Sequence, residues 1–538
     1  MHKIVARVAF YSRYSMFLFI GLSVIPSAFA EPIYGGEFRI PLSAEPISLD
    51  PALFSDIYAV QVANNLYDGL VQLDENLNII PAIAKRWKIS RDHRTYTFFL
   101  DTGITFHNGR EVTADDFIFS FTRILDPALK SPAASYFLSI KGAAAFQAGQ
   151  SDTVSGLRAP TPNQLEIQLE QPFAPFLSIL AMINAKVVPQ EAISPDFDKQ
   201  PVGTGPFRFS SWDPGQSIII EANPDYFAGR PYVDRVNFRV YSNIDWEQIY
   251  ADFHAGELDQ TFIPREQYDR IIGDTKTNIE LPYTVLNKLG LNLVYIGMNR
   301  AVKPFDDVRV RRAINYAVDT LAIVNDIAKR GTKPTKGLLP PGIAGYDPNL
   351  TGYDYNPQRA RELLASAGFP EGQGFPPFEL WTVSKSASVF RELEAYQDYL
   401  AAIGLEVSIN IADNWQGFVE AINEQRAALF YAAWYADYPD PDNFLYPLTH
   451  SKSKTNRMRF ADEQVDRLLD QARVETDYLK RSQLYNIIEQ KVLTGAPMVP
   501  QHINSNSYLI RPWVKGVALS QLGMMYFPLR LLWLEPQS

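Results

Sequence analysis

The sequence predicts an α/β fold, because segments with strand composition alternate along the chain with segments that carry helix-start signals and helical apolar spacing. Residues 96–100 and 164–169 have strand composition, and the second run alternates polar and apolar residues strictly. Two further strands are predicted at 217–221 and 236–240, on either side of the turn-forming residues 223–225. Strands interspersed with helices in this way favour α/β domains over an all-β protein.

Three segments carry the signals of helices. One helix is predicted to begin after Thr113, because a threonine N-cap followed by acidic residues in the first turn is a helix-start signal. A second helix is predicted over 462–473, where apolar residues recur on one face. A third is predicted over 308–323, with the arginines between 309 and 312 on a solvated face.

The amino terminus has the three parts of a secretory signal peptide. Basic residues come first, an apolar run follows at 16–25, and small residues precede Glu31. The apolar run is too short to span a bilayer. We therefore predict a signal peptide at 1–30, cleaved near Ala30-Glu31, and a periplasmic protein of a Gram-negative cell. Because the sequence has no cysteine, we expect neither a lipid anchor nor a disulfide.

The composition is that of a large globular protein, with 46% apolar and 20% charged residues among 538. Since single cores stop growing at roughly 250–300 residues, two or three domains are expected. No fixed-period repeat or low-complexity linker separates them, so the domains are expected to be interleaved or tightly apposed. The net charge of −10 and the lack of a basic cluster argue against a nucleic-acid partner.

We find no convincing catalytic or metal-binding constellation in the sequence. The motifs HExxH, GxxxxGK[ST] and GxSxG are absent, and there is no cysteine nucleophile. Residues 451–454 satisfy SxxK, but the accompanying motifs of that enzyme class are missing or overlap it. The histidines at positions 93, 107, 254 and 450 have no metal-ligand spacing. We therefore expect a protein that is not an enzyme and that has no cofactor or metal of its own.

Seven sequence blocks follow one another in a fixed order over nearly the whole mature chain. They are EPISLDP from Glu45, LYDGLV from Leu66, the stretch from Trp87 to Phe117, VGTGPF at 202–207, NPDYF at 223–227, FDDVRVRRAINYAVD at 305–319 and WYADYPDPDNF at 434–444. In this order the blocks resemble the family 5 extracellular solute-binding proteins, which are the receptors of peptide, dipeptide, opine and nickel ABC importers. The resemblance implies a protein that binds and delivers a solute without catalysing a reaction.

The resemblance also implies the architecture. It is the two-lobed periplasmic-binding-protein fold of class II, cluster C, with a cleft between two α/β lobes, a hinge that the chain crosses twice, and an additional domain. The implied division is lobe I at 31–71, 201–282 and 500–538, the additional domain II at 72–200, and lobe III at 283–499. Pro282 and Pro500 are hinge candidates, although ordinary loops also contain prolines. Hinge closure around a ligand is the mechanism that such an architecture allows.

The binding chemistry is predicted to centre on Asp437, a carboxylate that lies among aromatic residues. A carboxylate in low-dielectric surroundings needs a cation, and the α-ammonium group of a peptide is such a cation. In oligopeptide-binding relatives, the aspartate at the matching position binds the amino terminus of the ligand. The residues just before it pair with the peptide backbone, and the resemblance gives this role to Ala433, Trp434 and Tyr435.

Alternatives stay open for this segment. An ordinary buried loop with a capped carboxylate would give Asp437 the same aromatic neighbours. If the run is a strand, one of Trp434 and Tyr435 points into the core. Asp440 and Asp442 lie next to prolines and are predicted to be turn caps instead of ligand contacts.

The opposite end of a bound peptide needs a cation, for which Arg391, Lys329 and Arg330 are the candidates. By its position in the sequence, Arg391 matches an arginine that dipeptide-binding relatives place against the ligand carboxylate, where a planar guanidinium can bond both oxygens. The alternative is a surface arginine paired with Glu392 or Glu394.

The remaining predicted contacts lie far apart in the sequence. The resemblance gives ligand contacts to Tyr136 and to the segment formed by Ser55, Asp56 and Ile57. His502 follows a Val-Pro pair, at a place where the well-known enteric oligopeptide receptor has tyrosines. We predict that His502 faces the ligand, with a plain structural histidine as the alternative.

Departures from the enteric receptor leave the ligand open. Tyr431 and Ala433 stand where that receptor has an arginine and a glycine, so the floor of the cleft is expected to be tighter or less charged. We predict a monomeric receptor that binds short peptides and delivers them to an inner-membrane ABC permease and its ATPase. The alternatives are a non-peptide solute, namely an opine, an oligosaccharide or a metal chelate, and a periplasmic peptide chaperone or sensor adaptor.

Overall fold

The structure is a computed structural model. It describes residues 31–54, 56–241, 245–263, 267–275, 281–328 and 331–536. The predicted signal peptide at 1–30, together with Ser55, Lys329 and Arg330, lies outside the described residues. None of the helices in the described part of the chain is long and apolar enough to cross a membrane.

Strands and helices are mixed along the whole described chain, which confirms the α/β prediction. The strands are β1 (Glu37–Leu42), β2 (Val71–Leu73), β3 (Ile79–Pro81), β4 (Ala84–Ile89), β5 (Thr95–Leu100), β6 (Leu157–Thr161), β7 (Gln164–Gln168), β8 (Phe207–Asp213), β9 (Ser217–Ala222), β10 (Arg235–Val240), β11 (Gln260–Phe262), β12 (Thr284–Leu289), β13 (Asn292–Met298), β14 (Lys333–Pro334), β15 (Phe378–Thr382), β16 (Val407–Ile411), β17 (Leu429–Tyr435), β18 (Met498–Ile503), β19 (Ser505–Ile510), β20 (Val514–Lys515) and β21 (Trp533–Leu534). The α-helices are α1 (Ile57–Ala63), α2 (Ala114–Leu125), α3 (Ala143–Gln147), α4 (Phe176–Leu180), α5 (Trp246–Ala255), α6 (Tyr268–Asp274), α7 (Val308–Ala317), α8 (Thr320–Ala322), α9 (Pro357–Ser366), α10 (Ala387–Ala401), α11 (Trp415–Asn423), α12 (Asp442–Thr449), α13 (Glu463–Val474) and α14 (Tyr478–Gly495).

Most local predictions are confirmed by these boundaries. The predicted strands correspond to β5, β7, β9 and β10. Helix α2 begins after Thr113, whose backbone N–H donates to the carboxylate of Asp116 at 2.8 Å. Helix α13 begins after Asp462, whose side chain accepts from the backbone N–H groups of Gln464 and Val465. Short polar side chains therefore fix both helix starts, as the sequence signals predict.

The helix predicted over 308–323 is too long, and of its three arginines Arg309 is exposed and Arg312 half-buried, whereas Arg311 contradicts the predicted solvated face. Helix α7 ends at Ala317, because Val318 is extended and the side chain of Asp319 caps a new turn. Arg311 is buried instead of solvated. Its guanidinium donates to the carbonyl oxygens of Phe305 and Gly495, so the charge serves to join the start of α7 to the end of α14.

Three sheets organise the described chain. Sheet 1 has the strand order β1-β10-β9-β8, sheet 2 has β4-β5-β7-β6, and sheet 3 has β14-β18-β13-β17-β15-β16. The strands of these sheets come essentially from the segments predicted for lobe I, domain II and lobe III, in that order. The limits of those domains stay a prediction.

Sheet 3 is buried on both faces, because its central strands send alternate residues into two different cores. Tyr295 of β13 packs with Phe430 of β17 on one face. Ile296 and Leu429, from the same two strands, pack on the opposite face. Residues of β17 that do not point into the core around Tyr295 and Phe430 therefore point to the opposite face of the sheet.

The chain passes between sheet 3 and the three-stranded β11-β19-β12 sheet at two adjacent places. One crossing runs from β12 to β13 through Gly290, and the other runs from β18 to β19 through Asn504. The N–H of Gly290 donates to the carbonyl of Asn504 at 2.9 Å, and the side chain of Asn292 bonds both backbone groups of Asn504. The crossings thus lie a few residues beyond Pro282 and Pro500, and Pro500 is part of β18.

Glu489 of α14 is buried and holds a backbone turn. Its Oε1 accepts from the N–H groups of Leu338 and Leu339 at 2.6 and 2.9 Å. Burial raises the pKa of Glu489 from 4.5 to about 7, against the lowering effect of those two hydrogen bonds. Protonation of this carboxyl group is therefore coupled to folding.

We predict that Glu489→Gln changes how stability depends on pH. The raised pKa favours the folded state at low pH, and this contribution is lost as the pH rises from about 4.5 to about 7. A glutamine keeps the accepting oxygen and cannot ionise. The melting temperature of the variant relative to the wild type is therefore expected to be higher at pH 8 than at pH 5. An equal difference at both pH values would contradict the prediction.

Candidate functional site

The segment 436–442, which is the loop after β17 together with the first residue of α12, carries three aspartates, and two of them pair with half-buried arginines. The carboxylate of Asp440 receives two hydrogen bonds of 2.7 Å from Arg481, and that of Asp442 receives bonds of 2.7 and 3.0 Å from Arg473. Asp442 is fully buried and Asp440 nearly so. Arginine–carboxylate pairs with two parallel bonds are strong and directional, so they fix the position of the loop.

Further hydrogen bonds set the shape of this loop. Asp440 accepts from the backbone N–H of Asp442 at 2.9 Å, which is the turn-cap role that the sequence predicts. Tyr438 donates its hydroxyl to Asp442 at 2.9 Å. Both carboxylates are therefore occupied within the protein.

Asp437 differs from these two neighbours in its partners. Its Oδ2 accepts from the hydroxyl of Tyr136 at 2.7 Å and from the side-chain amide of Asn443 at 3.4 Å. Its backbone N–H donates to Asn443 at 2.9 Å. Throughout the described ranges, no lysine, arginine or histidine side chain lies within ion-pair distance of this carboxylate. Burial raises the pKa of Asp437, and the hydrogen bonds from Tyr136 and Asn443 oppose that rise.

A cavity of about 280 Å³ lies over this carboxylate, and we call it the Asp437 cavity. Its lining includes Asp56 and Ile57 at the start of α1, Tyr136, and Asp437 itself. The structure thus brings together four predicted contacts from three distant segments of the chain. Ser55 lies outside the described residues, so its position in this wall stays a prediction.

A second cavity of about 180 Å³ lies along β17, and we call it the β17 cavity. Alternate residues of the strand, Tyr431, Ala433 and Tyr435, line it together with His502. Trp434 points the other way and packs against the core of sheet 3, whereas the Tyr435 side chain is exposed. One member of the aromatic pair therefore points inward, as the alternation of a strand predicts.

One backbone edge of β17 is open near Asp437. Strand β13 pairs with β17 along its whole length, from Met298–Leu429 to Asn292–Tyr435. On the opposite edge, β15 pairs only with Leu429 and Phe430. Within the described part of the chain, no strand pairs with the outer edge of residues 432–434, and such an edge can accept an added strand.

Arg391 lies apart from both cavities. It is exposed on α10 and lines neither the Asp437 cavity nor the β17 cavity. The next residue, Glu392, is buried, lines the β17 cavity, and accepts from the hydroxyl of Tyr431 at 3.3 Å. Lys329 and Arg330 lie outside the described residues, so all three predicted carboxylate partners stay predictions.

Several walls of the Asp437 cavity carry no signal in the sequence. Met182 and Ile183 come from the segment after α4, and Tyr526 comes from near the carboxyl terminus. The hydroxyl of Tyr526 donates to the carbonyl of Ala181 at 3.3 Å, which links these two walls. These walls meet through contacts between residues that are far apart in the sequence. Local sequence patterns do not predict such contacts.

A larger cavity lies elsewhere, in the part of the chain that holds sheet 3. It has a volume of about 630 Å³ and is lined by Glu489 and Tyr353 among others. None of the predicted contact residues lines it. We place the functional site at the smaller Asp437 cavity, because a carboxylate without a cation points to ligand chemistry more directly than volume does.

We predict that Arg481→Met strongly destabilises the protein, because it leaves Asp440 buried without its charge partner. Breaking a buried pair in this way costs about 3–5 kcal/mol in the free energy of unfolding, which urea titration measures. The matched control is Arg467→Met, since Arg467 forms an exposed pair with Glu463 at 3.5 Å. An exposed pair contributes about 1 kcal/mol or less. Similar losses in the two variants would show that the buried pair does not hold the loop.

Comparison with known proteins identifies a family and several relatives that this chain resembles. Residues 78–456 match the profile of "Bacterial extracellular solute-binding proteins, family 5 Middle". Heme-binding protein A of Haemophilus influenzae is 30% identical, with 89% of each chain covered. Dipeptide-binding protein DppE of Bacillus subtilis is also 30% identical, with the same coverage.

A solved structure of a similar protein has the same fold over nearly the whole of this chain. The ABC transporter-associated periplasmic binding protein DppA from Helicobacter pylori, in complex with the peptide STSA, is 28% identical. It superposes with a TM-score of 0.78 over 94% of this chain and 99% of its own. The predicted two-lobed fold is therefore confirmed. The relatives are binding proteins and not enzymes, which agrees with the non-catalytic prediction.

Proposed function

The chain belongs to the family 5 bacterial extracellular solute-binding proteins, and we propose that it is the periplasmic receptor of an ABC importer that binds short peptides between its lobes. The observation that carries this proposal is the carboxylate of Asp437. It is the one aspartate of its loop with no cation among the described residues, and it faces a cavity. A ligand that brings an ammonium group would supply the missing charge.

An ammonium group suits the surroundings of Asp437. Tyr136 and Asn443 both donate to Oδ2, which leaves Oδ1 with no hydrogen bond from the described residues. A primary ammonium has three N–H donors and a positive charge. In a partly dry site such a contact is stronger than in water, because a charge pair is weakly screened there.

The open edge of β17 suits the backbone of a peptide. A peptide bound at Asp437 by its amine could continue along Ala433 and Trp434 as an added strand, with main-chain hydrogen bonds providing affinity. An extended backbone from Ala433 in β17 to Asp437, which lies two residues beyond the strand, would be ~13 Å long at about 3.3 Å per residue. This is the length of an extended peptide of about three to four residues. The β17 cavity, with Ala433, Tyr435 and His502, would then receive a later side chain.

The charges of the Asp437 cavity distinguish peptides from other solutes. The relatives include a heme-binding protein, and heme carries two carboxylates. In the part of the chain that the structure describes, the charged groups that line the Asp437 cavity are Asp56 and Asp437, with no cationic side chain. An anionic group would therefore be repelled there, whereas an amine would be attracted. In this proposal Arg391 remains the partner for the carboxyl end of the ligand.

The proposed receptor would be exported to the periplasm and would deliver its ligand to a permease. The signal peptide predicted at 1–30 would bring the chain to the periplasm, where it would act as a monomer. An inner-membrane permease with its ATPase would accept the closed, loaded form. Closure would occur about the two crossings at Gly290 and Asn504, which lie side by side between sheet 3 and the β11-β19-β12 sheet.

We predict that Asp437→Asn weakens binding of a free-amine tripeptide by about 2–5 kcal/mol, the scale for removing one partner of a buried charge pair. Isothermal calorimetry measures this loss directly. Asp413→Asn is the matched control, since Asp413 is exposed and lines neither cavity. Acetylation of the peptide is expected to weaken binding to the wild type and to have little effect on Asp437→Asn. Equal affinity of the wild type for free and acetylated peptides would refute the amine contact.

We further predict that affinity for the free-amine tripeptide falls on acidification. Because burial raises the pKa of Asp437, the carboxylate becomes protonated at a higher pH than an exposed aspartate does. The peptide amine stays charged, since its pKa is about 8. Affinity titrations from pH 7 downward should show a decline in the wild type and a weaker one in Asp437→Asn. Parallel pH profiles would argue against titration of this group.

The class of ligand is tested by native mass spectrometry of the protein purified from its own periplasm, followed by denaturation to release what it carries. The proposal predicts a set of short peptides with free amino termini. A single mass of heme, an opine, an oligosaccharide or a metal chelate would keep the receptor role and overturn the peptide assignment.

A further inference from the structure

The walls of the Asp437 cavity are mainly apolar. They include Phe54, Ile57, Val60, Met182, Ile183 and Tyr526. Phe54, Met182 and Ile183 are buried in the surrounding structure, which keeps these walls in place. Ile57 is 52% exposed and faces the cavity from the start of α1. An apolar group that entered this space would be removed from water on several sides.

Two polar side chains of the lining, Asp56 and Asn184, already have hydrogen-bond partners within the protein. Asp56 caps α1, because its Oδ1 accepts from the N–H of Ala59 at 2.7 Å and its Oδ2 from that of Ile47 at 3.3 Å. The side-chain amide of Asn184 donates to the carbonyl of Pro51 at 2.9 Å. Among the described residues, no lysine, arginine or histidine lines the cavity. This lining therefore offers negative charge and apolar surface, and no cationic group for an acid.

The position of the amine decides which part of a ligand occupies this space. If the amine lies at Asp437 and the backbone follows β17, the first side chain of the peptide is the group next to the cavity walls. A volume of about 280 Å³ is enough for one side chain beside the amine, and it is near the lower limit for whole-ligand pockets. The cavity is therefore expected to bind the side chain of the first residue and to make affinity depend on which residue it is.

We propose that the Asp437 cavity is a specificity subsite that accepts an apolar first side chain and rejects an acidic one. This inference rests on the proposed function and adds the identity of the residue that carries the amine. An acidic first side chain would lie near Asp56 and Asp437, with no cation in the lining to offset the repulsion. An apolar side chain would gain the free energy of burial.

The test compares tripeptides that differ only at the first residue: Leu-Gly-Gly, Gly-Gly-Gly and Asp-Gly-Gly. Calorimetry on the full mature chain is expected to show Leu-Gly-Gly binding about 10- to 100-fold tighter than Gly-Gly-Gly, the scale for burying one leucine side chain. Asp-Gly-Gly is expected to bind more weakly than Gly-Gly-Gly. Equal binding of the three peptides, or tightest binding of Asp-Gly-Gly, would overturn the subsite.

A variant tests the same subsite by adding the missing cation. Ile57→Lys is expected to lower the preference for Leu-Gly-Gly over Asp-Gly-Gly at least about tenfold, because a lysine would pair with the acidic side chain. The exposure of Ile57 allows this change without loss of buried packing. Ile487→Lys makes the same change at an exposed site on α14 away from the cavity and should leave the preference unchanged. An unchanged preference in Ile57→Lys would refute the subsite.

The two proposals fail in different ways. If none of the three tripeptides binds the wild type, the peptide assignment itself fails, and with it the inference about the first residue. If the peptides bind and acetylation weakens them, but the first residue has no effect, the amine contact stands and the subsite is refuted. Circular dichroism of both lysine variants confirms that a lost preference does not reflect unfolding.

Discussion

Two buried arginine–aspartate pairs hold the loop on which the candidate site depends. Arg481 and Arg473 reach this loop from α14 and α13, and they neutralise Asp440 and Asp442. Replacing such pairs by apolar residues is often neutral for stability, so their main effect is to fix one geometry. Here that geometry presents the third carboxylate of the loop, Asp437, to a cavity. Within the described residues, Asp440 and Asp442 thus pair with arginines, whereas Asp437 has only neutral hydrogen-bond partners.

The cavity depends in turn on how the sheets are connected. Its walls come from the start of α1, from Tyr136, from the segment after α4, from the loop after β17 and from Tyr526, so it exists where segments far apart in the sequence meet. The two backbone crossings at Gly290 and Asn504 lie side by side and share hydrogen bonds. A rotation at these points would change the distance between opposite walls of the cavity.

The sequence predicts the local structure well where a short-range signal exists. Strand alternation locates β7, and cap residues locate the starts of α2 and α13. The prediction fails over 308–323, because burial of Arg311 arises from carbonyl groups that are distant in the sequence. The candidate site likewise contains residues that the sequence predicts and residues that it does not. Asp437 and Tyr136 follow from the family resemblance, whereas Tyr526 enters the cavity through long-range packing that no local pattern reveals.

We propose that Asp437 binds the amine of the ligand, and a crystal structure of the protein with a bound tripeptide would show this contact. We expect the terminal nitrogen of the peptide to lie about 2.7–2.9 Å from a carboxylate oxygen of Asp437, which is the distance of a charge-assisted hydrogen bond. We also expect the peptide backbone to bond the open edge of β17. A bound peptide whose amine lies far from Asp437, with water or a protein cation at that carboxylate instead, would refute the proposed contact.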